Sequence, residues 1–222
     1  LRTPVTSIKA LSKIMLDDYE RLDKERRTAY LQIIVNESDR ISRLINQVLD
    51  IEKLRSEDAL QQIEPVELTE VMLTAVSGMQ QLFTERHITC TLPDTDGNWT
   101  VLGDKDKLIQ VVVNLLSNAL KFCDPADGRI TIGLQRKGQY ALLSVRDNGP
   151  GIPEKSREMI FEQFTQLHSK EQGKPHGTGL GLFITKKIVE QHHGAIRVES
   201  EPGEGALFEI KLPLNEPLST VL

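Results

Sequence analysis

Cysteine is nearly absent from this chain of 222 residues: Cys90 and Cys123 are the only two, far apart and without metal-ligand spacing. That excludes a disulfide framework and a thiolate metal site, and leaves two reduced, semi-buried thiols. Dense basic runs are missing too, and 27 Lys and Arg against 32 Asp and Glu give a formal net charge of −5. Nucleic acid is therefore not an expected partner. No apolar stretch approaches the roughly 20 residues that a membrane-crossing helix needs. No secretory signal opens the sequence, so a cytoplasmic location is expected, with any membrane attachment carried by parts outside these residues. Internal repeats are lacking as well.

What is there is an ordinary globular composition, 39% hydrophobic and 27% charged, in a length that suits one large domain or two small ones. Residues 1–55 read as two helices. In the first, Leu1, Val5, Ile8, Leu11 and Met15 recur at steps of three and four, which makes one apolar stripe. Asp17, Asp18 and Asp23 bracket a turn. The second helix, about 24–54, carries Ile34, Ile41 and Val48 at heptad steps with Leu44 and Ile51 between them, a seam for a bundle. Two such helices bury little alone, so a homodimer through residues 1–54, forming a four-helix bundle, is expected.

Residues 56–62 are polar and read as a linker. From Ile63 the texture turns to mixed α/β and continues to Pro213, with 214–222 as a disordered tail. Strands are expected near Pro65–Glu67, Ile88–Leu92, Thr100–Leu102, Ile130–Gln135 and Tyr140–Val145, and helices over about 69–86, 104–122 and 179–192. Ile196–Val198 and Ala206–Leu212 form a hairpin around Gly203-Glu204-Gly205.

Chemistry concentrates in three places. On the helix ending at Phe122, the residues Asn114, Asn118, Lys121 and Phe122 fall at offsets that share one face. Two asparagines on a Leu- and Val-rich helix need partners, because an unpaired buried amide is costly. An amide oxygen suits magnesium, and Lys121 can neutralise phosphate charge. Asp147 ends an apolar strand just before Gly149, Gly151 and Ile152, where a carboxylate can accept from an adenine amino group while glycine lets the backbone approach the base. The run Gly177-Thr178-Gly179-Leu180-Gly181-Leu182 opens a helix and offers unpaired amides to an anion. Between the last two lie Phe161, Phe164 and a polar loop, 165–176, that reads as a lid. Each glycine string alone is a weak signal; their combination in this order is strong.

Together these pieces resemble the N, first-glycine, F, second-glycine and third-glycine boxes of sensor histidine kinases. Leu1-Arg2-Thr3-Pro4 resembles the tail of that family's phosphoacceptor motif. The resemblance covers nearly the whole chain. It implies an α+β protein: an antiparallel helical hairpin, paired as a dimeric four-helix bundle, then a GHKL α/β sandwich with a mixed sheet and helices on one face. It implies Mg2+ on Asn118, Asn114 near the phosphates, adenine on Asp147, and Gly177, Gly179 and Gly181 anchoring a lid over ATP. The γ-phosphoryl group would go to a histidine and then to an aspartate on a response-regulator receiver domain. ATP-hydrolysing members of the superfamily carry glutamate where this chain has Asn114, and an amide is no base, so transfer rather than hydrolysis is expected.

The family's histidine would stand two residues before Leu1, so these residues alone are expected not to phosphorylate themselves at the usual site. Thr3 matches the hydroxyl that orients water when the regulator is dephosphorylated, which implies a bifunctional protein. Of the five histidines, His87 reads as surface and His168 and His176 as lid residues. His192 and His193 end a helix, where a cation favours the dipole. Two other readings stand beside this one: a nucleotide-binding pseudokinase or phosphatase-biased scaffold, and a GHKL ATPase, which Asn114 disfavours.

Overall fold

The computed structural model describes residues 2–54, 62–93, 96–166 and 177–215, in two compact units, Leu1–Lys53 and Leu54–Leu222. The linker over 56–61, residues 94 and 95 between two expected strands, the lid from Leu167 to His176 and the tail beyond Asn215 fall outside the described residues.

The first unit is helical. Helix α1 (Arg2–Asp17) is followed by a 3-10 turn, Tyr19–Arg21, and by α2 (Lys24–Leu54). The turn is fixed by side chains: Asp23 Oδ1 accepts the Arg26 N–H at 2.8 Å, a helix-starting bond. The Arg27 guanidinium lies 3.9 Å from the centroid of the Tyr19 ring. On α2 the expected seam is partly buried at Ile34, Ile41 and Leu44 and buried at Ile51, whereas Val48 is 43% exposed. A second apolar strip stands open: Leu31, Val35, Ile45 and Leu49 are each about half exposed. They form two pairs one turn apart, two heptads from each other, on a single face.

In the second unit the elements run β1 (Glu64–Glu67), α3 (Leu68–Glu85), β2 (Thr89–Thr91), β3 (Thr100–Gly103), α4 (Lys105–Phe122), β4 (Arg129–Lys137), β5 (Tyr140–Asp147), α5 (Gly181–Gln191), β6 (Ala195–Ser200) and β7 (Ala206–Pro213). Strands β1 and β3 pair as a small antiparallel ribbon. The main sheet has the order β2-β4-β5-β7-β6, with β2 parallel to β4 and every other pair antiparallel. Alternation makes its inner face: Ile130, Ile132 and Leu134 from β4, Ala141, Leu143 and Val145 from β5, and Phe208, Ile210 and Leu212 from β7 are buried. Helix α4 packs on β4 and β5 and lies between α3 and α5, so one helical layer covers one face. Its own buried stripe, from Leu108 through Leu115 and Leu116 to Ala119, leaves Asn114 and Asn118 on a half-exposed flank. Asp104 starts α4 by accepting the Lys107 N–H at 3.1 Å.

The mixed sheet with helices on one face matches the expected fold class, and most elements lie within two residues of their expected bounds. Helix α5 begins at Gly181 rather than Gly179, because Gly179 holds a φ of +73°, outside the helical region. Two 3-10 turns, Glu154–Ser156 and Met159–Phe161, occupy a segment whose sequence carries no period. No described helix is long and apolar enough to cross a membrane.

Leu115 has no exposed surface beneath the sheet. Leu115→Ala is expected to lower the unfolding free energy by about 2–5 kcal/mol, read as a shift in urea midpoint followed by circular dichroism.

Candidate functional site

Asp147 is the last residue of β5, opposite Ile130 on one side and Ala206 on the other. Its side chain is buried, and Oδ1 accepts the Gly149 N–H at 2.9 Å and the Ala206 N–H at 3.3 Å. Burial pushes the carboxyl above the usual carboxylate range, while the two amides pull it back. No described group donates to Oδ2, which is therefore left for a donor such as an exocyclic amino group. A side chain at Gly149 would run into the Phe122 carbonyl, so the glycine allows the loop after β5 to lie against the end of α4.

Two residues that the sequence did not single out hold this corner. Asn148 Oδ1 accepts the Arg129 N–H at 2.9 Å, and its Nδ2 donates to the Asp127 carbonyl at 2.7 Å. The Ser200 hydroxyl accepts the Ile152 N–H at 2.8 Å and donates to the Gly205 carbonyl at 2.5 Å. Both read as ordinary polar loop or strand residues; only the fold brings their partners near.

The second group lies on α4. Asn118 is half-exposed, and no described group bonds its amide. Lys121 Nζ stands 4.4 Å from the centroid of the Phe122 ring, and a Cβ at Gly177 would lie 3.3 Å from it. Burial pushes the Lys121 ammonium below the usual lysine range, and no described carboxylate pairs with it. A partly desolvated cation beside a glycine run suits a polyphosphate. Asn114 has a different setting: its Nδ2 is 3.5 Å from the Gly181 carbonyl and 3.4 Å from the Thr185 hydroxyl, long bonds that reach from α4 to α5.

The third group joins the two ends of the lid. Gln166 Nε2 donates to the Gly177 carbonyl at 3.1 Å. A Cβ on Gly179 would meet the Phe164 backbone at 2.6 Å. Phe164 is 62% exposed, with a left-handed φ of +61°, while Phe161 is buried against Phe208, the rings edge-to-face at 6.4 Å. Thr178 Oγ1 accepts the Leu180 N–H at 3.3 Å. Leu180 has no exposed surface and serves the core, whereas Gly181 and Leu182 are partly exposed. No described side chain caps the start of α5, so among the described residues its first amides remain available to an anion. Thr3 belongs to α1 in the helical unit.

The expectation of a cationic His192 is corrected. The ring is buried and bonded to backbone at both nitrogens, and burial pushes its pKa below the usual histidine range. His193 is exposed. His168 and His176 fall outside the described residues.

Residues 103–216 match the histidine kinase-, DNA gyrase B- and HSP90-like ATPase family, and residues 1–57 match the His Kinase A (phospho-acceptor) domain. The chain belongs to the sensor histidine kinase family. It is 33% identical over 215 residues to the circadian input-output histidine kinase CikA of Synechococcus elongatus, covering 96% of this chain and 28% of that protein. It is 34% identical to the sensor histidine kinase WalK of Bacillus subtilis, covering 97% and 35%. The chain thus spans about a third or less of those two relatives. Among solved structures, the histidine kinase ThkA in complex with response regulator TrrA has a TM-score of 0.75 at 25% identity, covering 96% of this chain and 58% of that one. ShkA in complex with AMPPNP has a TM-score of 0.71 at 25% identity, covering 96% and 44%. The phospho-acceptor match takes in α1 and α2, and the ATPase match takes in every site residue from Asn114 to Leu182.

For this histidine kinase chain, Asp147→Asn keeps the Oδ1 bonds but presents an amide donor where an acceptor is needed. It is expected to weaken adenine-nucleotide binding by about 10- to 100-fold, measured by titration calorimetry.

Proposed function

We propose that this chain is the catalytic portion of a two-component sensor kinase, binding Mg-ATP in the second unit and directing its γ-phosphoryl group to a histidine. The observation that carries the reading is Asp147, a fixed carboxylate with one oxygen unclaimed by any described group, on the same unit as the Lys121 ammonium, which lies beside Gly177 and pairs with no described carboxylate. Asp147 Oδ2 accepts from the adenine amino group, and Gly149 and Gly151 let the backbone lie against the base. Lys121 and the first amides of α5, behind Gly177, Gly179 and Gly181, take the phosphates. Asn118 fits a hard divalent cation, because its amide has no other partner among the described residues and oxygen is the ligand such an ion prefers. Magnesium, when bound, neutralises phosphate charge. Thr178, Leu180, Leu182, Ile152, Phe122 and Phe164 complete the surroundings as backbone contacts and apolar walls.

The chain's own contribution is positioning and charge neutralisation, which supply most of the catalysis in phosphoryl transfer. Asn114 offers no base, so water is not activated and a protein acceptor is favoured. The family's acceptor histidine has no counterpart on α1 or α2, which contain no histidine. The open strip Leu31, Val35, Ile45 and Leu49 on α2 supports pairing with a second copy. Onward transfer to a response-regulator receiver domain is supported by the relative ThkA, solved in complex with response regulator TrrA.

A longer chain that includes the residues before Leu1, incubated with magnesium and γ-labelled ATP, is expected to gain acid-labile, alkali-stable label that an added receiver domain removes. Absence of label with nucleotide binding intact would sink the kinase reading. Thr3→Ala in that chain is expected to slow dephosphorylation of the regulator by at least about tenfold while labelling persists; unchanged dephosphorylation refutes the role given to Thr3.

A further inference from the structure

His192, just beyond the last residue of α5, is 3% exposed with both ring nitrogens engaged. Nδ1 lies 2.7 Å from the Ile188 carbonyl, which can only accept, so Nδ1 carries the proton. Nε2 then holds a lone pair and accepts the Asp104 backbone N–H at 3.0 Å. Asp104 is the residue that starts α4, where a backbone N–H has no partner within the helix. Strand β3 closes over the ring through Gly103, where any side chain would collide with the imidazole.

This bond ties the end of α5 to the beginning of α4. Further along, Asn114 reaches from α4 to Gly181 and Thr185 at the start of α5. Helix α4 carries Asn118 and Lys121, and α5 begins at the glycine run, so the setting of one helix against the other is the setting of one half of the nucleotide site against the other. We propose that His192 is a positioning residue for nucleotide binding: its neutral imidazole holds α5 against α4, and protonation releases the hold and weakens nucleotide binding in acid. The proposal rests on the ATP-binding reading above.

The physical reason lies in donor count. A protonated ring has two donors, and the second would point at the Asp104 N–H, donor against donor. Burial opposes the cation most strongly and His193 opposes it as well, while the Ile188 carbonyl and the Asp104 carboxylate just before α4 favour it. At the ring, β3 presents glycine and no ionisable group. The folded-state pKa is depressed, so the tie is intact above the ordinary histidine value of about 6.5 and is lost as pH falls through the lowered value.

The test is the Mg-ATP dissociation constant of the full chain between about pH 5 and about pH 8, for wild type, His192→Gln, His192→Asn and His193→Asn. Glutamine places an acceptor where Nε2 stands but has no proton to gain; asparagine reaches only to Nδ1 and drops the Asp104 bond. Asp147 and the phosphates titrate in every protein, so the ratio of variant to wild type isolates the imidazole. His192→Gln is expected to match wild type near neutrality and to bind about tenfold more tightly than wild type at the acid end, while His192→Asn binds about tenfold more weakly near neutrality. His193→Asn removes a neighbour that opposes the His192 cation, so it should keep wild-type affinity near neutrality and lose it in acid at no lower a pH than wild type. A ratio for His192→Gln that stays flat with pH overturns the proposal, as does an asparagine variant of wild-type affinity. Nitrogen-15 NMR of the wild-type ring adds a check independent of any variant: a Nδ1-protonated neutral ring at neutral pH is expected, and a cationic one overturns the proposal. Wild type that binds no nucleotide at any pH brings down the ATP reading itself, and this proposal with it.

Discussion

A carboxylate at the end of a buried strand is unfavourable unless donors meet it, and the donors that meet Asp147 come from two different places in the chain. One is the Gly149 amide, two residues on; the other is the Ala206 amide, on a strand reached only after α5 and β6. A single oxygen thereby joins β5, the first glycine loop and β7. Because both amides converge on Oδ1, the other oxygen keeps a fixed direction with no partner among the described residues. The carboxylate is thus oriented by the sheet, and loop geometry follows from it: Gly149 lies against the α4 terminus, and the Ile152 amide rests on Ser200.

The helical layer answers a different constraint. Helix α4 must bury Leu115, Leu116 and Ala119 on the sheet while showing Asn118 and Lys121 to solvent. Its Asp104 start fixes where the first turn begins, so the polar flank comes out at the glycine run. Lys121 is the point of contact between the two halves, lying close to Gly177. The same lysine is partly desolvated there, and an ammonium that gives up some water without a carboxylate among the described residues is poised for a ligand's negative charge.

Much of this was legible in the sequence, for reasons that differ from residue to residue. Strand alternation in Tyr140–Val145 and Ala206–Leu212, and the Leu/Val stripe of α4, are local patterns and gave the elements nearly to the residue. The glycine strings announced backbone that must approach something, though not what it approaches. Other features depend on pairing across long separations. The Ser200 hydroxyl bridging Ile152 and Gly205 has no local signature. His192 reads as solvated because a histidine at a helix end ordinarily is, and nothing nearby in sequence reveals that Gly103, far upstream, leaves room for its ring. The start of α5 is not legible to the residue, because a glycine before a helix and a glycine inside it look alike until φ is known.

The bridge from Asn114 to α5 has an evolutionary side. The resemblance to the wider superfamily implies a glutamate at this place in its ATP-hydrolysing members, and a substitution there is the shortest path between the two activities. In this chain such a change would set a negative oxygen against the Gly181 carbonyl, where an amide N–H now points. The Thr185 hydroxyl, now an acceptor, would have to turn and become a donor. A lineage leaving phosphotransfer for hydrolysis would therefore have to re-seat α5 in the same interval, so the two chemistries are separated by an architectural step as well as a chemical one.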